Sequence, residues 1–96
     1  MRESDFINFL QADPSITSQQ NIKGRVRHAK KAELILGTSL DVIVADDDLM
    51  YESLIELRKH ENILRGHMQN AVRKYYILCN GKAFPQLRNY HSAKHP

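Results

Sequence analysis

The chain has 96 residues, of which 42% are hydrophobic and 26% are charged, as expected for one small globular domain rather than a disordered polymer. Aromatic residues make up only 7% and Trp is absent, which disfavours a β-sandwich or barrel. A single cysteine, Cys79, excludes an intramolecular disulfide and a cysteine-based zinc site. The apolar runs are too short to span a bilayer and no export leader opens the sequence, so we expect a cytoplasmic protein without membrane contact.

The charges are distributed in blocks along the chain. Residues 15–40 contain five basic residues and one acidic residue, and residues 62–96 contain six basic residues and none that is acidic. Residues 41–61, between them, contain seven acidic and two basic residues. Such blocks predict a polarised surface with the basic segments on one side, although solvated helix faces produce similar blocks.

Capping and stop signals predict two helices in the first half of the chain. The first runs from about Asp5 to Gln11, with Ser4 as its N-cap, and ends before Pro14. The second runs from about Ser18 to Leu36 and is followed by Gly37, which can adopt the left-handed conformation at a helix end.

Two more helices are predicted in the second half. The segment Asp41 to Ala45 is rich in β-branched residues but has no evident pairing partner, so we predict a buried extended loop. The third helix starts at Asp46-Asp47-Asp48 and ends near Lys59, with its acidic start and basic end matched to the helix dipole. The fourth extends from about Asn62 to Cys79 and is stopped by Asn80-Gly81. We therefore predict an all-α, four-helix orthogonal bundle over residues 1–81 and a flexible tail or interdomain linker over residues 82–96.

Helical periodicity places donor-rich faces on the second and fourth predicted helices, opposite their apolar stripes. Cations repeated at this spacing can neutralise a row of phosphates, and Arg, Gln and Asn can also bind base edges in the major groove. Two residues of the second helix break its pattern, because Arg25 lies on the apolar side and Leu34 lies among the lysines. The candidate DNA-binding residues are Lys23, Arg27, Lys30 and Lys31 on the second helix and Arg65, Gln69, Asn70, Arg73 and Lys74 on the fourth.

Other chemistry has little support in the sequence. The cluster Asp46-Asp47-Asp48 lacks the glycine and distal glutamate of a calcium loop, so we interpret it as helix capping. The spacing of His91 and His95 fits a metal site only in a tail without predicted structure. No phosphate-binding glycine loop, nucleophilic triad or paired-carboxylate motif is present, so we predict no cofactor, no metal and no catalytic residue.

The order of several segments resembles a known family. They are Ser18-x-x-Asn21, Leu40-Asp41-Val42-Ile43 followed by Asp48-Leu49-x-Tyr51-x-x-Leu54, and Asn70-Ala71-Val72-Arg73-Lys74-Tyr75-Tyr76 before Asn80-Gly81. Over about residues 4–81 this pattern resembles the N-terminal core-binding domain of tyrosine recombinases (phage integrases), a four-helix module with a sterile-alpha-motif-like fold. The resemblance implies a module that forms half of a clamp around duplex DNA during integration or recombination, with its second and fourth helices against the DNA.

The same resemblance implies that this chain is not itself an enzyme. The catalytic arginines, histidine and nucleophilic tyrosine of the family belong to a second, C-terminal domain, and the segment after Gly81 is too short to encode one. Tyr90 lies in that segment and does not correspond to the nucleophile. The chain is then either a fragment of an integrase or a stand-alone relative. Two other functions remain open: a helical protein–protein interaction module, and the DNA-specificity domain of a restriction or other DNA-processing enzyme.

Overall fold

A computed structural model describes residues 1–16, 18–61 and 66–91 of the chain. Their regular structure is entirely helical, which confirms the all-α class, but there are five α-helices rather than four. The elements in chain order are α1 (Glu3–Gln11), α2 (Gln19–Leu36), α3 (Leu40–Val44), α4 (Asp47–His60), α5 (His67–Asn80) and a 3₁₀-helix (Leu87–Asn89).

Helix α2 begins and ends where the sequence predicts. The hydroxyl of Ser18 accepts a hydrogen bond from the Asn21 amide, 3.1 Å away, and so caps the first turn. Gly37 follows the helix with φ of 70°, the left-handed conformation that glycine adopts at little cost. Helix α1, in contrast, starts two residues earlier than predicted, so Ser4 lies inside it and Arg2 takes the cap position without a side-chain cap.

The prediction of an extended loop over residues 41–45 is wrong, because this segment forms most of helix α3. Ser39 caps it by accepting a hydrogen bond from the Val42 amide, and the Leu40 amide donates to the carboxylate of Glu33 on α2 at 2.8 Å. Leu40, Ile43 and Val44 are buried at helical spacing against the rest of the bundle. Tertiary burial therefore outweighs the preference of these β-branched residues for extended structure.

The starts of α4 and α5 both depend on carboxylates. Asp46 caps α4 by accepting hydrogen bonds from the Asp48 and Leu49 amides, as the sequence predicts. Glu61, just beyond the end of α4, accepts hydrogen bonds from the backbone amides of Met68 and Gln69 in the first turn of α5. The predicted start of the fourth helix, residues 62–65, lies outside the described residues. Gly81 ends α5 with φ of 72°.

Helix α5 is the centre of the packing, since it lies along α2 and also contacts α1, α3 and α4. Its adjacent tyrosines, Tyr75 and Tyr76, are both fully buried. Their hydroxyls donate hydrogen bonds to Asp41 and Asp47, respectively, which lie on other helices. Each ring can be buried because its polar end has a partner at the edge of the core.

Residues 82–91, from the segment predicted as a flexible tail or interdomain linker, pack on the bundle. Phe84 is only 4% exposed and contacts the ring of Tyr76 edge-on at 5.2 Å. Tyr90 stacks on Tyr51 of α4 at 5.1 Å, and its hydroxyl donates a hydrogen bond to Asp48 at 2.5 Å. Phe84 and Tyr90 thus anchor this segment to the bundle, and Leu87 also packs against the core.

Candidate nucleic-acid interface

Three of the predicted DNA-binding cations lie free on the outward face of α2. Lys23, Arg27 and Lys31 are exposed, and no carboxylate of the described residues lies within 4.0 Å of their charged groups. The buried residues of the same helix lie on its opposite side. The structure therefore leaves an exposed row of positive charge along α2, at the positions that periodicity predicts.

The fourth cation of this face, Lys30, has a partner. Its ammonium group lies 2.6 Å from the carboxylate of Glu3 on α1. Because both side chains are about half exposed, the ion pair is screened by water and can exchange with another anion. Lys30 thus marks the edge of the positive surface nearest α1.

A polar groove of about 530 Å³ runs between α2 and the first turns of α5. None of its lining residues carries a carboxylate. Arg25 and Arg27 contribute to it from α2, so Arg25, which sequence periodicity assigns to the apolar side, reaches the groove instead. Apart from Ile16 and Gly24, the remaining lining residues are polar: Ser15, Ile16, Gln20, Asn21, Gly24, His28, His67 and Asn70.

A pair of stacked histidines crosses this groove. The rings of His28 on α2 and His67 on α5 are nearly parallel, with centroids 5.0 Å apart. Burial lowers the pKa of His28, and the neighbouring His67 and Arg27 lower it further. These residues are 39 positions apart in the chain, and nothing in the sequence pattern predicts the pair.

The α5 residues predicted to contact DNA separate into two groups. Asn70 is exposed and lines the groove, with no side-chain hydrogen bond to any other described residue. Lys74, on the same side of α5, is held 2.5 Å from the carboxylate of Asp13, in the turn before α2. This contact holds the pKa of Asp13 well below its usual range. Asn70 is therefore available to a ligand, whereas Lys74 already has an anionic partner.

Gln69 and Arg73 are engaged elsewhere. The Gln69 amide group donates to the carboxylate of Glu61 at 3.0 Å. Arg73 donates through Nη1 to the carbonyl oxygens of Phe84 and Pro85, at 2.9 and 3.1 Å, and its guanidinium lies over the Phe84 ring. These contacts direct both side chains toward the end of α4 and the C-terminal segment instead of the groove. The last predicted contact, Arg65, lies outside the described residues.

The acidic residues at the start of α4 are used within the fold. Asp46 caps the helix, while Asp47 and Asp48 accept hydrogen bonds from the hydroxyls of Tyr76 and Tyr90. Among the described residues, no ion pair joins Asp46 or Asp47 to an α2 cation. Within residues 1–16, 18–61 and 66–91 there is no cluster of three or more potential metal ligands. No helix in these ranges has both the length and the apolar character to cross a membrane.

Comparison of the chain with models of protein families, with curated proteins and with solved structures finds no match.

Proposed function

We propose that this chain is a non-catalytic module that binds duplex DNA through α2 and the adjacent start of α5. The observation that carries the proposal is a surface of cations without counter-ions beside a groove without carboxylates. In the described structure, Lys23, Arg27 and Lys31 have no carboxylate partner, and Arg25 extends the positive charge into the groove. Phosphates of a nucleic-acid backbone are the polyanion that such a row of charges would neutralise.

The shape and lining of the groove favour duplex DNA over a single strand as the ligand. An exposed helix face can enter a major groove while the cations that flank it contact the phosphates. Asn70 is the α5 residue with base-recognition chemistry that remains available, since an Asn amide can donate to and accept from an adenine edge. Among the described residues, no aromatic ring other than those of His28 and His67 lines the groove, whereas single-strand binding typically uses several stacking surfaces.

The recombinase context is part of the proposal, and it rests on the sequence resemblance. In that context the module would grip one side of a recombination site while a C-terminal domain on the same polypeptide supplied the chemistry. The side chains that remain available define a smaller set of expected DNA contacts. Lys23, Arg25, Arg27, Lys31 and Asn70 would bind the DNA at this surface, while Gln69, Arg73 and Lys74 already have partners within the fold.

A salt titration with charge-matched variants tests the proposal. Binding of a short fluorescent duplex is measured by anisotropy for the unmodified chain and for two double variants. Lys23→Gln/Lys31→Gln removes two free cations from α2, and Lys59→Gln/Lys82→Gln removes two exposed lysines from elsewhere. Each phosphate contact contributes about 0.9 to the slope of log affinity against log salt, so the α2 variant should lose about 2 from that slope. The control variant should keep the slope of the unmodified chain.

Two results would contradict the proposal. One is an affinity that does not respond to salt, and the other is an equal loss in both double variants, which would show a response to net charge alone. A single strand of the same sequence is measured in parallel, and we expect weaker binding than to the duplex. Sedimentation without DNA tests the alternative of a protein-interaction module, which predicts dimers that persist at high salt.

A further inference from the structure

A second group of arginines lies away from the α2 surface. Arg58 from the end of α4, Arg73 from α5 and Arg88 from the 3₁₀-helix line one shallow pocket of about 590 Å³. Gln86 and Leu87 complete its lining. Three arginines from three separate elements thus line one space, to which the packed segment 82–91 contributes three of the lining residues.

No counter-ion accompanies these arginines in the described part of the chain. No carboxylate there lies within 4.0 Å of Arg58, Arg73 or Arg88. The nearby Glu56 is already engaged by Lys59 and His60, both at 3.4 Å. Like charges gathered without an anion repel one another, so an anion in the pocket would relieve an unfavourable interaction.

Arg73 is the fixed member of the group. Its Nη1 donates to two backbone carbonyls, and the Phe84 ring supports the guanidinium plane at 5.8 Å. Its Nε and Nη2 have no acceptor among the described residues. Burial lowers the pKa of Arg73, in keeping with a cation that no carboxylate compensates. The remaining donors are therefore oriented in advance, which reduces the entropy lost when a ligand binds.

We propose that Arg58, Arg73 and Arg88 form a binding site for a phosphate group. The planar guanidinium fork matches two phosphate oxygens, and the exposed Arg58 and Arg88 line the same pocket as Arg73. The phosphate can belong to the backbone of the same DNA that α2 contacts or to a free phosphate or phosphate ester. The site itself does not depend on the proposed DNA-binding function.

Titration with inorganic phosphate tests the site directly. The full chain is labelled with ¹⁵N, and the arginine Nε–Hε and backbone amide resonances are followed at constant ionic strength, maintained with sodium chloride. We expect saturable shifts for Arg73 and for residues 86–88. Arg58→Gln/Arg88→Gln should bind phosphate at least roughly tenfold more weakly, since each charge-assisted hydrogen bond contributes on that scale. Lys59→Gln/Lys82→Gln removes the same charge outside the pocket and should bind as the unmodified chain does.

The proposal is overturned if phosphate produces no saturable shift, or if the two double variants bind it equally. Both substituted arginines are exposed, and circular dichroism verifies that the helices persist. Titration with duplex DNA then distinguishes the two sources of phosphate. If DNA shifts the Arg73 resonances and added free phosphate reverses those shifts, the site binds a phosphate of the DNA backbone. If DNA shifts only resonances of α2, the ligand of the site is a free phosphate or phosphate ester. If DNA does not bind at all, the proposed function fails, yet the phosphate titration still decides whether this pocket is an anion site.

Discussion

The Lys74 ammonium group lies 2.5 Å from the Asp13 carboxylate, joining α5 to the turn before α2 across 61 positions of sequence. The same carboxylate accepts hydrogen bonds from the amide and hydroxyl of Ser15, at 2.9 and 2.7 Å. Both charged side chains are less than a third exposed. A residue that periodicity assigns to a DNA-binding face thus also fixes the geometry of the groove beside that face.

We expect Lys74→Gln to act on stability more than on DNA binding. Losing the contact should lower the thermal unfolding midpoint by a few degrees, because Asp13 is left without its cation. Lys31→Gln is the matched control, since Lys31 is exposed and unpaired in the described structure, and it should leave the midpoint unchanged while weakening DNA binding. Adding Asp13→Asn to Lys74→Gln should cost little more, as in a double-mutant cycle. Fully additive losses would show that the pair does not interact.

Phe84→Ala should show that residues 82–91 are part of the cooperative unit. Phe84 is 4% exposed and contacts Tyr76, Tyr90 and Arg73, so its truncation removes core packing. We expect a loss of about 3 kcal/mol in the free energy of unfolding, measured by urea denaturation. Leu34→Ala, at a site 83% exposed, should change it by less than about 0.5 kcal/mol. If both variants change the free energy of unfolding by similarly small amounts, residues 82–91 contribute nothing to the stability of the fold.

Replacing either of two glycines, one inside α2 and one at its end, by alanine should change the stability of the protein in opposite directions. A Cβ at Gly24, inside α2, would meet only the end of the Arg27 side chain, 4.0 Å away. Gly24→Ala should therefore stabilise the protein by about 1 kcal/mol, the usual cost of glycine in a helix interior. Gly37 has φ of 70°, so Gly37→Ala should destabilise it by about 1 kcal/mol. Thermal unfolding of the two variants measures both changes in stability, and destabilisation by Gly24→Ala would contradict the open space beside this position.

Local chemistry explains which parts of the fold the sequence predicts. The ends of α2 and the start of α4 depend on Ser18, Gly37 and Asp46, whose side chains or conformations act within a few residues. Helix α3 is missed because its residues favour extended structure, and only burial against α4 and α5 makes them helical. The packing of Phe84 is missed for the same reason, since its partners lie on distant elements.

The candidate interface likewise contains features that the sequence predicts and features that depend on tertiary structure. The free cations of α2 follow from helical periodicity alone, because a single helix determines which side each residue occupies. Periodicity also places Arg73 and Lys74 on an outward face, but it does not reveal their partners. The carbonyls of residues 84 and 85 and the carboxylate of Asp13 reach them only through tertiary structure.

The buried tyrosines should make the fold sensitive to alkali. Burial raises the pKa of Tyr76 to about 12, and the hydrogen bond to Asp47 raises it too, compared with 10.0 for an unperturbed tyrosine. A raised folded-state pKa gives stability that is complete below the unfolded value and is lost as pH rises from 10.0 toward 12. Urea midpoints measured across this range should fall less steeply for Tyr76→Phe than for the unmodified chain. Tyr51→Phe, at a partly buried ring, should retain the original steepness, and equal slopes in all three proteins would exclude Tyr76 as the cause.

His28 should make stability fall on mild acidification. Burial, together with His67 and Arg27, lowers its folded-state pKa below the 6.5 of an unperturbed histidine. Between those two values the unfolded chain binds the proton more readily, so the stabilisation is complete above 6.5 and is lost as pH falls through the folded pKa. Thermal midpoints at roughly pH 7.5 and pH 5.5, on either side of the histidine range, should differ less for His28→Asn than for the unmodified chain. His91→Asn removes an exposed histidine and should retain the original difference. If His28→Asn retains it as well, the stacked pair does not control this pH response.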